Sequence, residues 1–134
     1  MWATAVSLVF IGPAFAAAPA IYFQAHRGGV DEVPENTLAA LKYAWTISGA
    51  VPELDIRTTQ DGVPVCIHNG TPEDTTDAPP EWAEKDIREI PYSVLSTWDA
   101  GSHFDSAYAG ERVPTLASVL EMLASDPARQ LYLD

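Results

Sequence analysis

The chain has 134 residues, 47% of them hydrophobic and 19% charged, a balance typical of a globular domain and not of a disordered segment. Acidic residues outnumber lysines and arginines by 19 to 7, which gives a formal net charge of -12. Such a charge repels the phosphates of nucleic acids, so we expect no nucleic-acid partner. The single cysteine, Cys66, excludes an intramolecular disulfide, and its apolar neighbours predict a small buried side chain.

An apolar stretch followed by several alanines opens the chain. Residues 3–11 are mostly apolar, and residues 14–18 fit the small-x-small pattern of a signal-peptidase site. No Lys or Arg precedes this stretch, which departs from the usual signal peptide. The stretch is shorter than the ~20 residues that a spanning helix needs. We therefore predict a signal peptide over residues 1–18, a secreted or periplasmic protein, and no stable membrane span.

The next elements follow an alternation of strand and helix. Residues 21–25 form an apolar run that ends in a glycine-rich turn, which predicts a strand. A helix should then begin after Asn36 or Thr37, either of which can cap it, and end at residues 48–49. A second strand is predicted over residues 51–57.

A turn signal, Asp61 followed by Gly62, precedes a third predicted strand at residues 63–68. If the two residues are the centre of a hairpin, Thr59 lies opposite Pro64. The same register would set Asp55 opposite His68, a carboxylate beside an imidazole.

Residues 69–112 are polar and rich in proline, which predicts a loop or a small insertion. An amphipathic helix should follow, with Thr115 as its cap. The apolar run at residues 131–134 predicts a further strand. Because a strand needs neighbours for its backbone, we expect residues 19–134 to be the N-terminal part of a larger domain.

Ionisable residues lie at or near the ends of the predicted strands. Glu53 and Asp55 are two apart and so share a face of one strand, where two carboxylates would repel each other unless a cation lay between them. Carboxylate oxygens suit Mg²⁺ or Ca²⁺. The alternative is that this acidic pair is solvated and that Leu54 and Ile56 form the buried face. His26 and His68 end two strands and fit a general acid and a general base.

Four strings in this order resemble the glycerophosphodiester phosphodiesterase family. They are AHRG at residues 25–28, PENT at 34–37, ELDI at 53–56 and TQDGVPVCIH at 59–68, and GERVPTL at 110–116 is similar to the family's segment before its next helix. The resemblance implies an α/β fold, a TIM-type (β/α)8 barrel of which about the first half is present in this chain. It also implies hydrolysis of small glycerophosphodiesters to an alcohol and glycerol 3-phosphate.

The resemblance assigns roles to eight residues of this sequence. His26 and His68 match the catalytic acid–base pair, Arg27 the phosphate ligand, and Glu35 and Asn36 the motif at the rim of the site. Glu53 and Asp55 match two ligands of a divalent metal, Mg²⁺ or Ca²⁺, and Asp134 stands where the family has a third, glutamate ligand. A second departure is Asn69, which directly follows His68 where the family usually has aspartate.

Two other interpretations stay open at this point. One is a related barrel phospholipase that acts on lysolipid or sphingolipid, because aromatic side chains between residues 69 and 112 could touch a lipid interface. The other is a non-catalytic fragment of a truncated barrel.

Overall fold

The computed structural model describes residues 21–134. The predicted signal peptide at residues 1–18 lies outside the described residues, so cleavage and export stay predictions. No helix between residues 21 and 134 is both long enough and apolar enough to cross a bilayer.

Three parallel strands form the central sheet of the described chain. They are β1 (Phe23–Ala25), β2 (Ala50–Leu54) and β5 (Tyr132–Leu133), in the order β1-β2-β5. The middle strand is buried over most of its length, as is usual for a parallel strand covered on both faces. The second strand predicted from the sequence is interrupted at Asp55, so its apolar run divides into β2 and β3 (Ile56–Thr58).

Helix α1 (Leu38–Ala44) connects β1 to β2 and begins where the sequence predicts. Of the two candidate caps, Thr37 performs the role: its side-chain oxygen accepts a hydrogen bond of 3.2 Å from the main-chain N–H of Ala40. Asn36 instead has a left-handed backbone, with φ of 57°, and its side chain turns toward β2.

The hairpin of β3 and β4 (Pro64–Cys66) corrects the predicted register by one residue. Thr58 lies opposite Pro64, and the amide of Ile67 bonds to the carbonyl of Asp55. The loop therefore has three residues, with Gly62 at φ of 81°, the geometry of a hairpin whose last loop residue is left-handed. Asp55 consequently faces Ile67, not His68.

The same hairpin changes the place of the third predicted strand. Strand β4 pairs antiparallel with β3 outside the parallel sheet, and β5 takes the position beside β2. His68 therefore approaches the sheet from a hairpin and not from the end of a parallel strand.

Residues 69–112 contain four short helical segments, which contribute buried side chains to a hydrophobic core. Helices α2 (Pro80–Ala83) and α3 (Tyr92–Leu95) alternate with 3-10 turns at Ile87–Glu89 and Ser106–Tyr108. Buried apolar side chains of this segment pack against strand β4 and form one core cluster: Ile87, Ile90, Leu95, Trp98 and Ala100 with Val65, Ile67 and Val113.

Helix α4 (Leu116–Ala124) starts at Thr115, which caps it as predicted. A second core cluster joins the two longer helices to β2 and β4 through Leu41, Leu54, Cys66 and Val119. Strand β2 is thus packed against both helices, and the polar residues that follow lie at its carboxyl end.

Candidate metal centre and active site

The end of β1 places the first histidine beside the middle strand. Ala25 pairs with Pro52, so His26 lies one step further along, at the level of Glu53. The next residue, Arg27, has a left-handed backbone with φ of 51°. This conformation directs its N–H at Glu53, whose Oε2 accepts a hydrogen bond of 2.9 Å.

Three carboxylates that the sequence singles out meet at this end of the sheet. Glu53, Asp55 and Asp134 each offer an oxygen within 4.8 Å of the others. Asp134 arrives through the pairing of β5 with β2, since its N–H bonds to the carbonyl of Leu54 at 3.0 Å. Although Asp134 has a shorter side chain than glutamate, it belongs to the same cluster.

The local charge favours a cation among these oxygens. Four carboxylates, those of Glu35, Glu53, Asp55 and Asp134, share the region with two guanidinium groups, those of Arg27 and Arg57. Four negative and two positive charges leave two negative charges, and Glu53 is only 3% exposed. A buried carboxylate needs a compensating charge, and an all-oxygen donor set fits a hard divalent ion such as Mg²⁺ or Ca²⁺.

The side chain of Arg27 is held by acidic partners. Its Nη1 donates to both carboxylate oxygens of Glu35 at 3.0 and 3.2 Å, and its Nε lies 3.6 Å from Oδ2 of Asp55. Nε is buried and lacks a hydrogen-bond partner at this distance. Glu35 thereby orients Arg27 at the edge of the carboxylate cluster.

Asn36 is 3% exposed and contacts Asp55, and its assignment to the rim of the site stays a prediction. Its amide makes two bonds to one residue: Nδ2 donates to Oδ2 of Asp55 at 3.0 Å, and Oδ1 accepts from the N–H of Asp55 at 2.9 Å. Asn36 therefore fixes the position of a candidate metal ligand.

His68 faces the same space as two of the carboxylates. A cavity of about 230 Å³ is lined by Asp55, Ile56, Arg57, Ile67, His68 and Asp134. The ring Nδ1 of His68 lies 2.9 Å from Oδ1 of Asn69, which leaves the other ring nitrogen outside this bond.

Arg57 is a site residue that sequence reasoning missed. Its Nε donates to the main-chain oxygen of His68 at 2.7 Å, and Nη2 donates to the same oxygen. The signal was present, because Arg57 lies two residues after Asp55 and so shares its side of the chain.

Cys66 takes no part in the chemistry. It is 1% exposed, and burial, followed by the nearby charge of Asp55, raises the pKa of its thiol to about 12. A thiol with this pKa stays protonated at neutral pH and is a poor nucleophile, which agrees with its expected structural role.

A larger cavity, of about 400 Å³, lies at the opposite ends of the strands, beside Ala50 and Val51. Its lining contains no histidine among the described residues. Barrels of alternating strands and helices carry their chemistry at the carboxyl ends of the strands, so the smaller cavity beside the carboxylates is the candidate site.

Two sequence relatives are named for the same enzymatic activity. A glycerophosphodiester phosphodiesterase of Caldanaerobacter subterraneus is 39% identical over 99 residues, which cover 74% of this chain and 39% of that protein. Glycerophosphodiester phosphodiesterase 1 of Rattus norvegicus is 39% identical over 93 residues, which cover 69% of this chain and 27% of that protein. The chain thus spans well under half the length of these relatives.

Solved structures that superimpose on this chain are also phosphodiesterases. A glycerophosphodiester phosphodiesterase from Agrobacterium tumefaciens superimposes with a TM-score of 0.74 at 33% identity, over 84% of this chain and 46% of that one. A phosphodiesterase from Oleispira antarctica, in complex with the product sn-glycerol-3-phosphate, superimposes with a TM-score of 0.73 at 34% identity, over 82% and 42%. The described fold is accordingly part of a TIM-type α/β barrel. The model of the glycerophosphoryl diester phosphodiesterase family matches residues 26–132, and the chain belongs to that family.

Proposed function

We propose that the protein carrying this chain hydrolyses glycerophosphodiesters to an alcohol and glycerol 3-phosphate, with a divalent metal and a pair of histidines. The observation that carries the proposal is the cluster of Glu53, Asp55 and Asp134 beside a cavity that His68 also lines. The activities named for the relatives support the same substrate class.

Each part of the site has a chemical task in this reaction. A divalent cation held by the three carboxylates would offset the charge of a non-bridging phosphate oxygen. One histidine removes the proton of the nucleophile, which is water or a hydroxyl of the substrate's own glycerol, and the other donates a proton to the leaving alkoxide. Arg27, oriented by Glu35, contributes positive charge where the phosphate binds.

Metal dependence is tested by removing the cation. We expect a chelator to abolish hydrolysis of glycerophosphocholine by the full-length protein that contains this chain, because the carboxylates would then repel the anionic substrate. Added Mg²⁺ or Ca²⁺ should restore turnover. Full activity in excess chelator would contradict the metal-dependent part of the proposal.

The acid–base roles are tested by His26→Ala and His68→Ala in the same protein. Each substitution should lower kcat by about 10²-fold or more, the usual scale for loss of a general acid or base. The exposed His103 lies in the segment of short helices, and His103→Ala is the matched control that should retain kcat. Normal turnover by either of the first two variants would make that histidine a structural residue.

A further inference from the structure

A chain of hydrogen bonds leads from the ring of His68 to a carboxylate. Nδ1 of the ring lies 2.9 Å from Oδ1 of Asn69, and Nδ2 of Asn69 donates to Oδ2 of Asp74 at 2.9 Å. Asn69 occupies the position that directly follows the histidine, where the sequence departs from its family's usual aspartate.

The chemistry of the three groups allows only one direction of donation along this row of hydrogen bonds. A carboxylate accepts hydrogen bonds and does not donate them, so Asp74 requires the NH₂ group of Asn69 on its side. The carbonyl oxygen of Asn69 must then face His68, and it too can only accept. In a neutral ring the proton therefore lies on Nδ1, and Nε2 keeps its lone pair.

The segment that contains Asn69 and Asp74 is itself held by hydrogen bonds. The amide of Thr76 bonds to the carbonyl of Pro72 at 3.0 Å, and its hydroxyl donates to the same oxygen at 2.8 Å. The amide of Ile87 bonds to the carbonyl of Gly70 at 2.8 Å. The turn that bears Asp74 is thus closed by the bonds between Thr76 and Pro72, and the longer-range bond from Ile87 holds Gly70, the neighbour of Asn69.

We propose that Asn69 is a positioning residue, oriented by Asp74, that keeps neutral His68 as the Nδ1–H tautomer and leaves Nε2 free to accept a proton. The inference rests on the proposed function for the role of His68 as an acid–base group. Arg57 holds the main-chain oxygen of His68, so the residue is constrained at its backbone and at its ring.

The tautomer can be read directly from the ¹⁵N chemical shifts of histidine-labelled full-length protein, at a pH high enough for the rings to be neutral. His68→Ala assigns the signals. We expect the wild-type ring to be protonated on Nδ1. A ring of His68 protonated mainly on Nε2 would overturn the proposal.

Paired substitutions separate positioning from packing. Asn69→Ala should allow the ring to populate the Nε2–H form and lower kcat about tenfold or more, with a smaller change in KM, because a misplaced tautomer disables proton transfer. The double variant Asn69→Asp with Asp74→Asn exchanges the two groups and keeps an acceptor opposite Nδ1 with an amide donor behind it, so it should retain both the tautomer and most of kcat. Unchanged kcat in Asn69→Ala would contradict the positioning role.

Asp74 provides a second test, because it is exposed and its substitution should not disturb the packing of the fold. Asp74→Ala removes the group that orients the amide and should shift the tautomer in the same direction, with a smaller loss of kcat. Asp74→Glu keeps a carboxylate that can only accept from Asn69, so it should retain the wild-type tautomer. Identical ring signals in Asp74→Ala and wild type would refute the contribution of Asp74.

The outcome also distinguishes this inference from the proposed function. An Nδ1–H ring together with a fully active His68→Ala variant would contradict the catalytic role of His68 and leave the hydrogen-bond assignment intact. An Nε2–H ring together with an inactive His68→Ala variant would contradict the tautomer assignment alone.

Discussion

At the scale of single residues, the backbone of Asn36 is as informative as its side chain. Asn36 adopts φ of 57°, a left-handed conformation that glycine tolerates freely, asparagine sometimes, and most other residues poorly. This conformation lets its amide bond both the main chain and the carboxylate of Asp55. Backbone conformation and side-chain contact can therefore be separated by substitution.

We predict that Asn36→Gly in the full-length protein weakens binding of Mg²⁺ or Ca²⁺ by about 10- to 100-fold, the range found when a group that orients a metal ligand is removed. Glycine accepts the left-handed backbone, so the melting temperature without metal should fall only through the loss of the two hydrogen bonds to Asp55. Isothermal titration calorimetry with each metal, next to thermal melting of the metal-free protein, measures the two effects.

Asn36→Ala is the comparison for this test. Alanine loses the same amide and is also strained at positive φ, so it should weaken metal binding equally and lower the melting temperature further than Asn36→Gly does. Metal affinity equal to wild type in Asn36→Gly would show that Asp55 needs no help from this amide.

At the scale of elements, Asp99 organises the loop between α3 and α4. One carboxylate oxygen accepts hydrogen bonds from the amides of Gly101 and Ser102 at 2.8 and 2.7 Å, and the other accepts from Gly110. A side chain at Gly101 would collide with the carbonyl of Tyr108. The loop is therefore closed around the carboxylate of Asp99. The hydrogen bonds from Ser102, Gly110 and Gly101 hold the pKa of Asp99 well below its ordinary value.

This lowered pKa predicts a pH-dependent contribution to stability. Because the folded pKa lies below the unfolded value of ~3.9, the contribution is present above the unfolded value and is lost as pH falls through the folded one. Asp99→Asn should therefore lower the melting temperature at pH 7. Below about pH 4, the difference between wild type and variant should shrink.

Thermal melts from pH 7 down to the lowest pH at which the protein stays soluble measure this difference. The exposed Asp31 is the matched control, and Asp31→Asn should follow the wild-type curve. A constant difference between Asp99→Asn and wild type over the whole range would mean that the carboxylate charge of Asp99 contributes nothing to stability.

At the scale of the whole molecule, the described sheet has two open edges. Strands β1 and β5 each pair on one side only within residues 21–134. Their large apolar residues are half exposed, with Phe23 at 50%, Tyr132 at 53% and Leu133 at 48%. In a closed barrel such side chains are covered by further strands.

We predict that residues 19–134 expressed alone show no cooperative thermal melt and no turnover of glycerophosphocholine. A buried side chain of this size contributes about 1.5–3 kcal/mol, and a domain is stable by only ~5–15 kcal/mol. Leaving several of them exposed is enough to remove the stability. Near-ultraviolet circular dichroism, calorimetry and an activity assay test this, with the full-length protein as control, and a cooperative melt with turnover would contradict it.

Much of the site was readable in the sequence because its determinants are local. The caps at Thr37 and Thr115 follow from side-chain oxygens that reach amides three residues on. The four motifs identified the family and contain Glu53 and Asp55, and the position of the last predicted strand singled out Asp134, the third carboxylate of the cluster. The alternative in which Glu53 is solvated is wrong, because that residue is buried together with Leu54.

Tertiary structure decided the features that depend on distant parts of the chain. The hairpin register depended on Gly62 entering a three-residue loop, a choice between backbone conformations that residue types alone do not settle. The place of β5 beside β2, which brings Asp134 to Asp55, joins residues about 80 positions apart. Spacing likewise does not predict the bonds of Asn36 to Asp55 and of Arg27 to Glu53, because each depends on a left-handed backbone that turns a side chain or an amide toward the site.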